Sequence, residues 1–309
     1  MSATAERIHP LMNPEYPIDT SRTEQLMLAM QQWLWVGTPG GFIYGIPRVG
    51  KTFGVKYCAS RLKTRTGGRV PIIYHSTQRD QAKTDKKFWS HLLVSMQRGL
   101  VHSHTAIQLY EQILGHLDDL ARVNHEHQVI LCIDEAQDLT RKEAQWLVSL
   151  HNDLCHHGIR MLVIQVGTPE LKERQAQYSS PEDGHIKGRF FHSEHRYSGF
   201  KGKSDIHTFL SIFDDATCWQ GAPAPSKAYF ANSPLAGMRL CDCVNEFFNV
   251  WRSMIRPLGY DDWPSFYLIG AVRTFLLDYV PRVSCTDDVE SCIAGAVKAS
   301  GILPGNDCT

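Results

Sequence analysis

Two short stretches of this chain hold residue types whose spacing suits chemistry. The first is Gly45-Ile46-Pro47-Arg48-Val49-Gly50-Lys51-Thr52, which reads G-x-x-x-x-G-K-T. The glycines let the backbone turn so that its N–H groups converge on one anion. The lysine adds a cation, and the threonine hydroxyl suits a metal ion bound to phosphates. The second is Val129-Ile130-Leu131-Cys132-Ile133-Asp134-Glu135, five apolar residues followed by two carboxylates. Beside a phosphate-binding loop, the first acid suits the water shell of a magnesium ion and the second suits polarising an attacking water. The pair points to a nucleotide site that hydrolyses, with Lys51, Thr52, Asp134 and Glu135 as its reacting groups.

Such groups need elements to aim them. Gly41–Tyr44 reads as a strand ending at the first glycine, and Thr52–Ala59 continues as the helix whose first N–H groups meet the anion. The run 129–133 is apolar on both faces, as in a central parallel strand, so the acids emerge at its C-terminal end, where doubly wound sheets bind ligands. Arg69–His75 and Arg160–Val166 read as two further buried strands. After the latter, Gln165 or Thr168 suits orienting water near a terminal phosphate, while Gly167-Thr168-Pro169 also suits turning the chain and capping the next helix. Helices are expected from Thr20-Ser21 to about Trp35, around Phe88–Met96, from Thr105 to His125, and from Arg141 to His157. Residues Glu173–Lys187 are polar and expected to be mobile.

These expectations make an α/β fold, a parallel sheet flanked by helices with a small C-terminal helical lid. The limits are an arm at 1–20, the nucleotide-binding domain at 21–203, the lid at 204–283 and a partly ordered tail at 284–309. Tyr16 or Ile18 in the arm is a candidate for contact with a nucleotide base.

The chain has 309 residues, 43% hydrophobic, with 32 basic and 32 acidic residues. Balanced charge gives no global pull toward nucleic acid or membrane. Between Arg48 and Arg98, however, the only acids are Asp80 and Asp85, which makes that segment a candidate polyanion surface. Lys56, Arg61, Lys63 and Arg65 within it read as solvated helix surface. Nine cysteines, several inside apolar runs, suit reduced thiols and a cytoplasmic location. Cys241-x-Cys243 lacks two further ligands nearby and suits two helix positions, and His156-His157 suits the carbonyl end of a helix. Neither a signal peptide nor a membrane span is read in the sequence.

Taken together, the motifs resemble AAA+ ATPases, and their arrangement resembles the transposon target-selection regulators TnsC and TniB over roughly residues 20–280. Gly45 to Thr52 matches the family's Walker A motif and Val129 to Glu135 its Walker B motif. Val166-Gly167-Thr168-Pro169-Glu170-Leu171 is similar to the sensor-one strand, with Gln165 and Thr168 both open as the sensor. His185-Ile186-Lys187-Gly188-Arg189-Phe190 resembles the arginine-finger segment, favouring Arg189 with Arg196 in reserve. Leu235-Ala236-Gly237-Met238-Arg239-Leu240 resembles the G-x-R pattern of sensor two, which implies that Arg239 contacts nucleotide. Pro47-Arg48 departs from the small residues usual in the loop, a change that bears on turnover and rigidity.

The resemblance implies ATP and Mg2+, with Thr52 and Asp134 serving the metal, and a homo-oligomer, ring or filament, on double-stranded DNA. It implies phosphate contacts from Arg79, Lys83, Lys86, Lys87, Arg141 and Lys142. It also implies a target-selection partner of the TniQ or TnsD type, a transposase of the TnsA or TnsB type, and no membrane. The resulting function is an ATP-dependent transposition regulator. A helicase loader or replication initiator is the alternative within the superfamily. A small-molecule kinase is a further alternative, opposed by Glu135, which phosphate transfer to a metabolite does not use.

Overall fold

The computed structural model describes residues 9–77, 84–99, 105–284 and 288–302. The chain divides into two compact units, one of Gln25–Pro47 and Lys51–Tyr197, the other of Met1–Glu24, Arg48–Gly50 and Ser198–Thr309. In chain order the elements are α1 (Ser21–Val36), β1 (Gly40–Tyr44), α2 (Lys51–Ala59), β2 (Ile72–Ser76), α3 (Asp85–Ser95), α4 (Ala106–Ala121), β3 (Gln128–Asp134), α5 (Arg141–His156), β4 (Arg160–Gly167), α6 (Glu170–Gln177), α7 (Gly184–Phe190) and β5 (Ser193–Arg196), then α8 (Gly202–Ser211), α9 (Pro225–Phe230), α10 (Val244–Val250), α11 (Ser265–Thr274) and α12 (Val289–Ala299).

The first unit is a five-stranded sheet in the order β2-β3-β4-β1-β5, and every pairing is parallel. Alternation along the strands sorts the two faces. Phe42, Leu131, Ile133 and Val163 pack with α3, α4, α5 and α7 in one buried cluster. On the opposite face, Gly41 lies so close to the Trp33 ring that any side chain there would overlap it, which brings α1 down on β1. This is the expected α/β core.

Local sequence explains the helix starts. Thr105 with Gln108 and Thr140 with Glu143 form reciprocal capping boxes at α4 and α5, each cap contributing about 1 kcal/mol.

Two stretches differ from expectation. Residues 173–187 are largely helical, in α6, a short 3-10 turn and the start of α7, because Leu171, Tyr178, Ile186 and Phe190 anchor that charged stretch in the core. β5 is an added edge strand. The C-terminal residues 289–299 form α12, whose Ile293, Ala296 and Val297 are fully buried.

The second unit is helical. Phe209, Phe213, Phe247, Trp263 and Phe275 lead its buried cluster, which α12 and Leu11 join. Tyr16 stacks on Trp219 with centroids 5.3 Å apart and donates its hydroxyl proton to Cys218 O at 3.0 Å, so this ring is engaged within its own unit. Among the described residues, no helix is long and apolar enough to cross a membrane.

Candidate nucleotide site

The sheet's C-terminal edge gathers the reactive residues. β1 ends at Tyr44, level with Gly167 of β4, and Gly45 N–H donates to Gly167 O at 3.3 Å, so the loop leaves the sheet from a fixed point. Gly50 takes φ 98° and Arg48 takes φ 63°; only the second is unusual for its residue type. Within the helical unit, to which Arg48–Gly50 belong, Arg48 O accepts from Phe266 N–H at 3.2 Å and the guanidinium lies 5.0 Å from that ring's centre. Lys51 opens α2 and donates to Gly45 O at 2.8 Å and Ile46 O at 2.9 Å. Burial lowers its pKa, against the opposing pull of Glu135 and Asp134.

The acids arrive from β3. Thr77 N–H donates to Asp134 O at 3.0 Å, holding that strand end to the segment after β2. Thr52 Oγ1 donates to Asp134 Oδ2 at 2.8 Å, so the phosphate loop and the acidic strand meet through one hydrogen bond. Thr52, Ser76, Asp134 and Val166 line a cavity of about 200 Å3 beside them. Hydroxyl and carboxylate are hard oxygen donors of the kind magnesium takes, so this pair fits the ion. Among the described residues, no cluster of three His, Cys, Asp or Glu side chains offers another metal site.

Glu135 follows at φ 52°, ψ 39°, a left-handed conformation costing a non-glycine residue about 1–2 kcal/mol. Its Oε2 accepts from Gln137 Nε2 at 2.6 Å, and Gln137 Oε1 accepts from Thr168 N–H at 3.2 Å. Sequence reasoning missed Gln137. Its signal was a polar amide two residues after the second acid, and only the fold brings that amide to the end of β4.

The remaining candidates scatter. Gln165 is 3% exposed and level with Ile133, inside the sheet. Val166 lines the cavity beside Asp134, so alternation sends Gln165 to the other face. Arg189 lies in the last turn of α7 beside the start of β1, where its carbonyl leaves no room for a side chain at Gly40, and its Nη2 donates to Asn152 Oδ1 at 2.6 Å. Arg196 is exposed, level with Tyr44 at the C-terminal edge. Arg239 lies in the helical unit, exposed, with its N–H donating to Asp242 Oδ2 at 2.9 Å.

Of the basic candidates, Arg141 bridges Asp183 at 2.7 Å and Glu182 at 3.3 Å. Lys142 Nζ sits 5.3 Å from the Trp146 ring centre. Lys86 and Lys87 are exposed on the first turn of α3. Arg79 and Lys83 lie outside the described residues.

Residues 37–175 match the family model of an AAA domain. This part of the chain is an AAA-type P-loop ATPase. No curated protein matches the chain. Among solved structures, it is similar to the ORC2 protein of Aeropyrum pernix in its ADPNP and ADP complexes, at 13% identity over 95% of this chain and 72% of that one, with TM-score 0.51. It is similar to Aeropyrum pernix ORC1 in complex with DNA, at 13% identity over 95% and 69%, TM-score 0.53. A Walker-type ATPase of Pyrococcus abyssi is alike at 14% identity over 93% and 73%, TM-score 0.51. At these identities the likeness is one of fold. The AAA domain covers β1 to β4, and with them the phosphate loop, both acids and Gln137.

Proposed function

We propose that this ATPase regulates transposition, assembling on target duplex DNA with ATP and linking a target-selection protein to a transposase, with hydrolysis releasing the assembly. The observation that carries the ATP switch is the Thr52–Asp134 hydrogen bond, which joins the phosphate loop to the acidic strand with Glu135 next in the chain. In this reading Gly45–Thr52 cradle the phosphates, Lys51 neutralises them, and Glu135 takes a proton from the attacking water. When bound by Thr52 and Asp134, magnesium would offset charge developing on the phosphate oxygens.

Arg189 supports the assembly part of the reading. It lies at the start of β1 and the phosphate loop at its end, about 15 Å away for a five-residue strand. A cation so far from its own loop is available to a neighbour's site, and completing that site would make ATP binding and head-to-tail stacking one equilibrium. Arg196, the reserve candidate for the finger, is exposed at its own loop's edge and suits a role in cis instead. Lys86 and Lys87, with Arg79, Lys83 and Lys142, are the proposed phosphate contacts; Arg141, already paired with two acids, adds least. Thr168 and Arg239 keep their proposed roles toward the terminal phosphate, and Thr168 is preferred over Gln165, which is buried on the sheet face away from the cavity beside Asp134. The target-selection and transposase partners rest on the Gly167-Thr168-Pro169-Glu170 and Gly188-Arg189-Phe190 runs. The DNA-bound Aeropyrum pernix ORC1 shares the fold and agrees with a duplex partner.

Electron microscopy with duplex DNA and a non-hydrolysable ATP analogue tests the assembly. Rings or filaments on DNA are expected, and a protein that stays monomeric and DNA-free overturns the reading. Pull-down of a transposase by the assembled form supports the transposition role, whereas capture of a replicative helicase favours the loader.

A further inference from the structure

We propose that Gln137 is a positioning residue for hydrolysis, holding the Glu135 carboxylate and tying it to the backbone at Thr168. The inference rests on the reading of Glu135 as the group that activates water. Glu135 stands in a left-handed conformation that a glutamate does not favour, so its orientation depends on what grips its side chain. Gln137 grips it with the amide nitrogen while the amide oxygen takes the Thr168 N–H. One planar group therefore connects the ends of β3 and β4. Gln137 itself is buried, 4% exposed, so its amide is held in place on the protein side of both bonds.

The seat is built for this amide. Any side chain at Gly167 would overlap Gln137 Oε1, so a glycine at the end of β4 leaves the space the amide fills. Chemistry narrows the choice further. Glutamate in this position accepts but, ionised, does not donate, asparagine is one methylene shorter, and leucine does neither. Thr168 also carries a buried hydroxyl with no partner among the described residues. That hydroxyl is a donor at the strand end, ready for a phosphate oxygen or an ordered water. A shift at Thr168 on filling that position passes through one rigid amide to the carboxylate that activates water.

The test is steady-state hydrolysis by the full chain with Mg2+, ATP and duplex DNA, alongside binding of a fluorescent ATP analogue. Glu135→Gln is the reference. Gln137→Leu should lower kcat about 10- to 100-fold with analogue affinity kept within about threefold, the pattern of a lost transition-state interaction. Gln137→Glu should do the same, because an ionised carboxylate has no N–H to donate to Glu135. Gly167→Ala should match Gln137→Leu, and the double variant should be no worse than either, since one connection is lost only once.

The proposal is overturned if kcat of Gln137→Leu or of Gln137→Glu stays within about threefold of the parent protein, or if the losses of Gln137→Leu and Gly167→Ala multiply in the double variant. Should Gln137→Leu lose analogue binding through misfolding, the polar Gln137→Glu decides by its kcat at retained analogue affinity. If Glu135→Gln itself hydrolyses normally, the reading of Glu135 fails. If it stops turnover while the Gln137 variants do not, the role of Gln137 alone fails.

Discussion

The two ends of the same parallel sheet are held in different ways. At the C-terminal edge, Lys51 bonds to Gly45 and Ile46 carbonyls, Thr52 to Asp134, and Gln137 links Glu135 to Thr168, all within the α/β unit and at 2.6 to 3.2 Å. At the N-terminal edge, the Arg189 side chain donates to one amide oxygen among the described residues, that of Asn152. Beside it His151 is buried, with its Nδ1 unpartnered among the described residues. Parallel strands explain the asymmetry, since all their C-terminal ends and following turns collect at one edge. That edge is preorganised, as catalysis requires, because donors fixed before the reaction cost no reorganisation during it. The opposite edge offers a cation whose single tether is easily exchanged for a stronger anionic partner.

The largest effect should come from the preorganised edge. Lys51→Ala removes a cation that touches the loop's own carbonyls and would face the phosphates. Its kcat/KM for ATP is expected to fall by about 10,000-fold, binding and transition-state losses combined. Isothermal titration with ATP should show the binding loss directly, and retained affinity would remove Lys51 from the cradle.

Next is the contrast between the two arginines. Arg189→Ala should leave ATP binding by the monomer intact while turnover of the DNA-bound assembly falls on the order of 1000-fold. Arg196→Ala should act on isolated subunits instead. If mixing Arg189→Ala with an active-site variant fails to restore partial activity while Arg196→Ala succeeds, the two edges exchange roles. Mixing experiments separate these outcomes because a finger acts in a neighbour's site.

A smaller effect is expected at α3. Lys86→Glu with Lys87→Glu reverses two exposed charges that read no bases. Duplex affinity should fall about 10-fold near physiological salt, equally for all sequences, with a shallower dependence on salt. Unchanged binding in the ATP state removes this turn from the DNA surface.

How much of this was legible in the sequence depended on burial. The strands β1 to β4 announce themselves because residues such as Val129–Ile133 and Met161–Ile164 are buried on both faces and so read as unbroken apolar runs. β5 is Ser193-Glu194-His195-Arg196, a polar edge strand with no such run, and only its pairing with β1 defines it. The charged stretch around α6 and α7 reads as mobile because its anchors, Tyr178, Ile186 and Phe190, are too widely spaced to form a periodic pattern. At the site, Lys51, Thr52, Asp134 and Glu135 lie in contiguous motifs. Gln137 does not, since its function depends on Thr168, thirty-one positions away by the separation of that bond. A sequence pattern records spacing along the chain, whereas this contact follows from β3 and β4 being neighbours in the sheet.

The smallest effect tests the N-terminal edge through stability. Burial and then the neighbouring Arg189 lower the pKa of His151, while a hydrogen bond with the Met161 backbone opposes them. A histidine whose folded-state pKa lies below its unfolded value of 6.5 takes up its proton more readily when unfolded. Its contribution is therefore complete above pH 6.5 and is lost as the pH falls from there toward the folded-state value. His195, shifted down by burial, and His116, shifted down by burial and Arg98, act in the same direction. Thermal melts of the parent protein should consequently show Tm falling below pH 6.5. Arg189→Ala removes the like charge beside His151 and leaves the other two histidines alone, so its Tm should fall less steeply over that range. An equal slope in the two proteins would show that Arg189 is already drawn away from His151 in solution, and the edge would be looser than the Asn152 tether indicates.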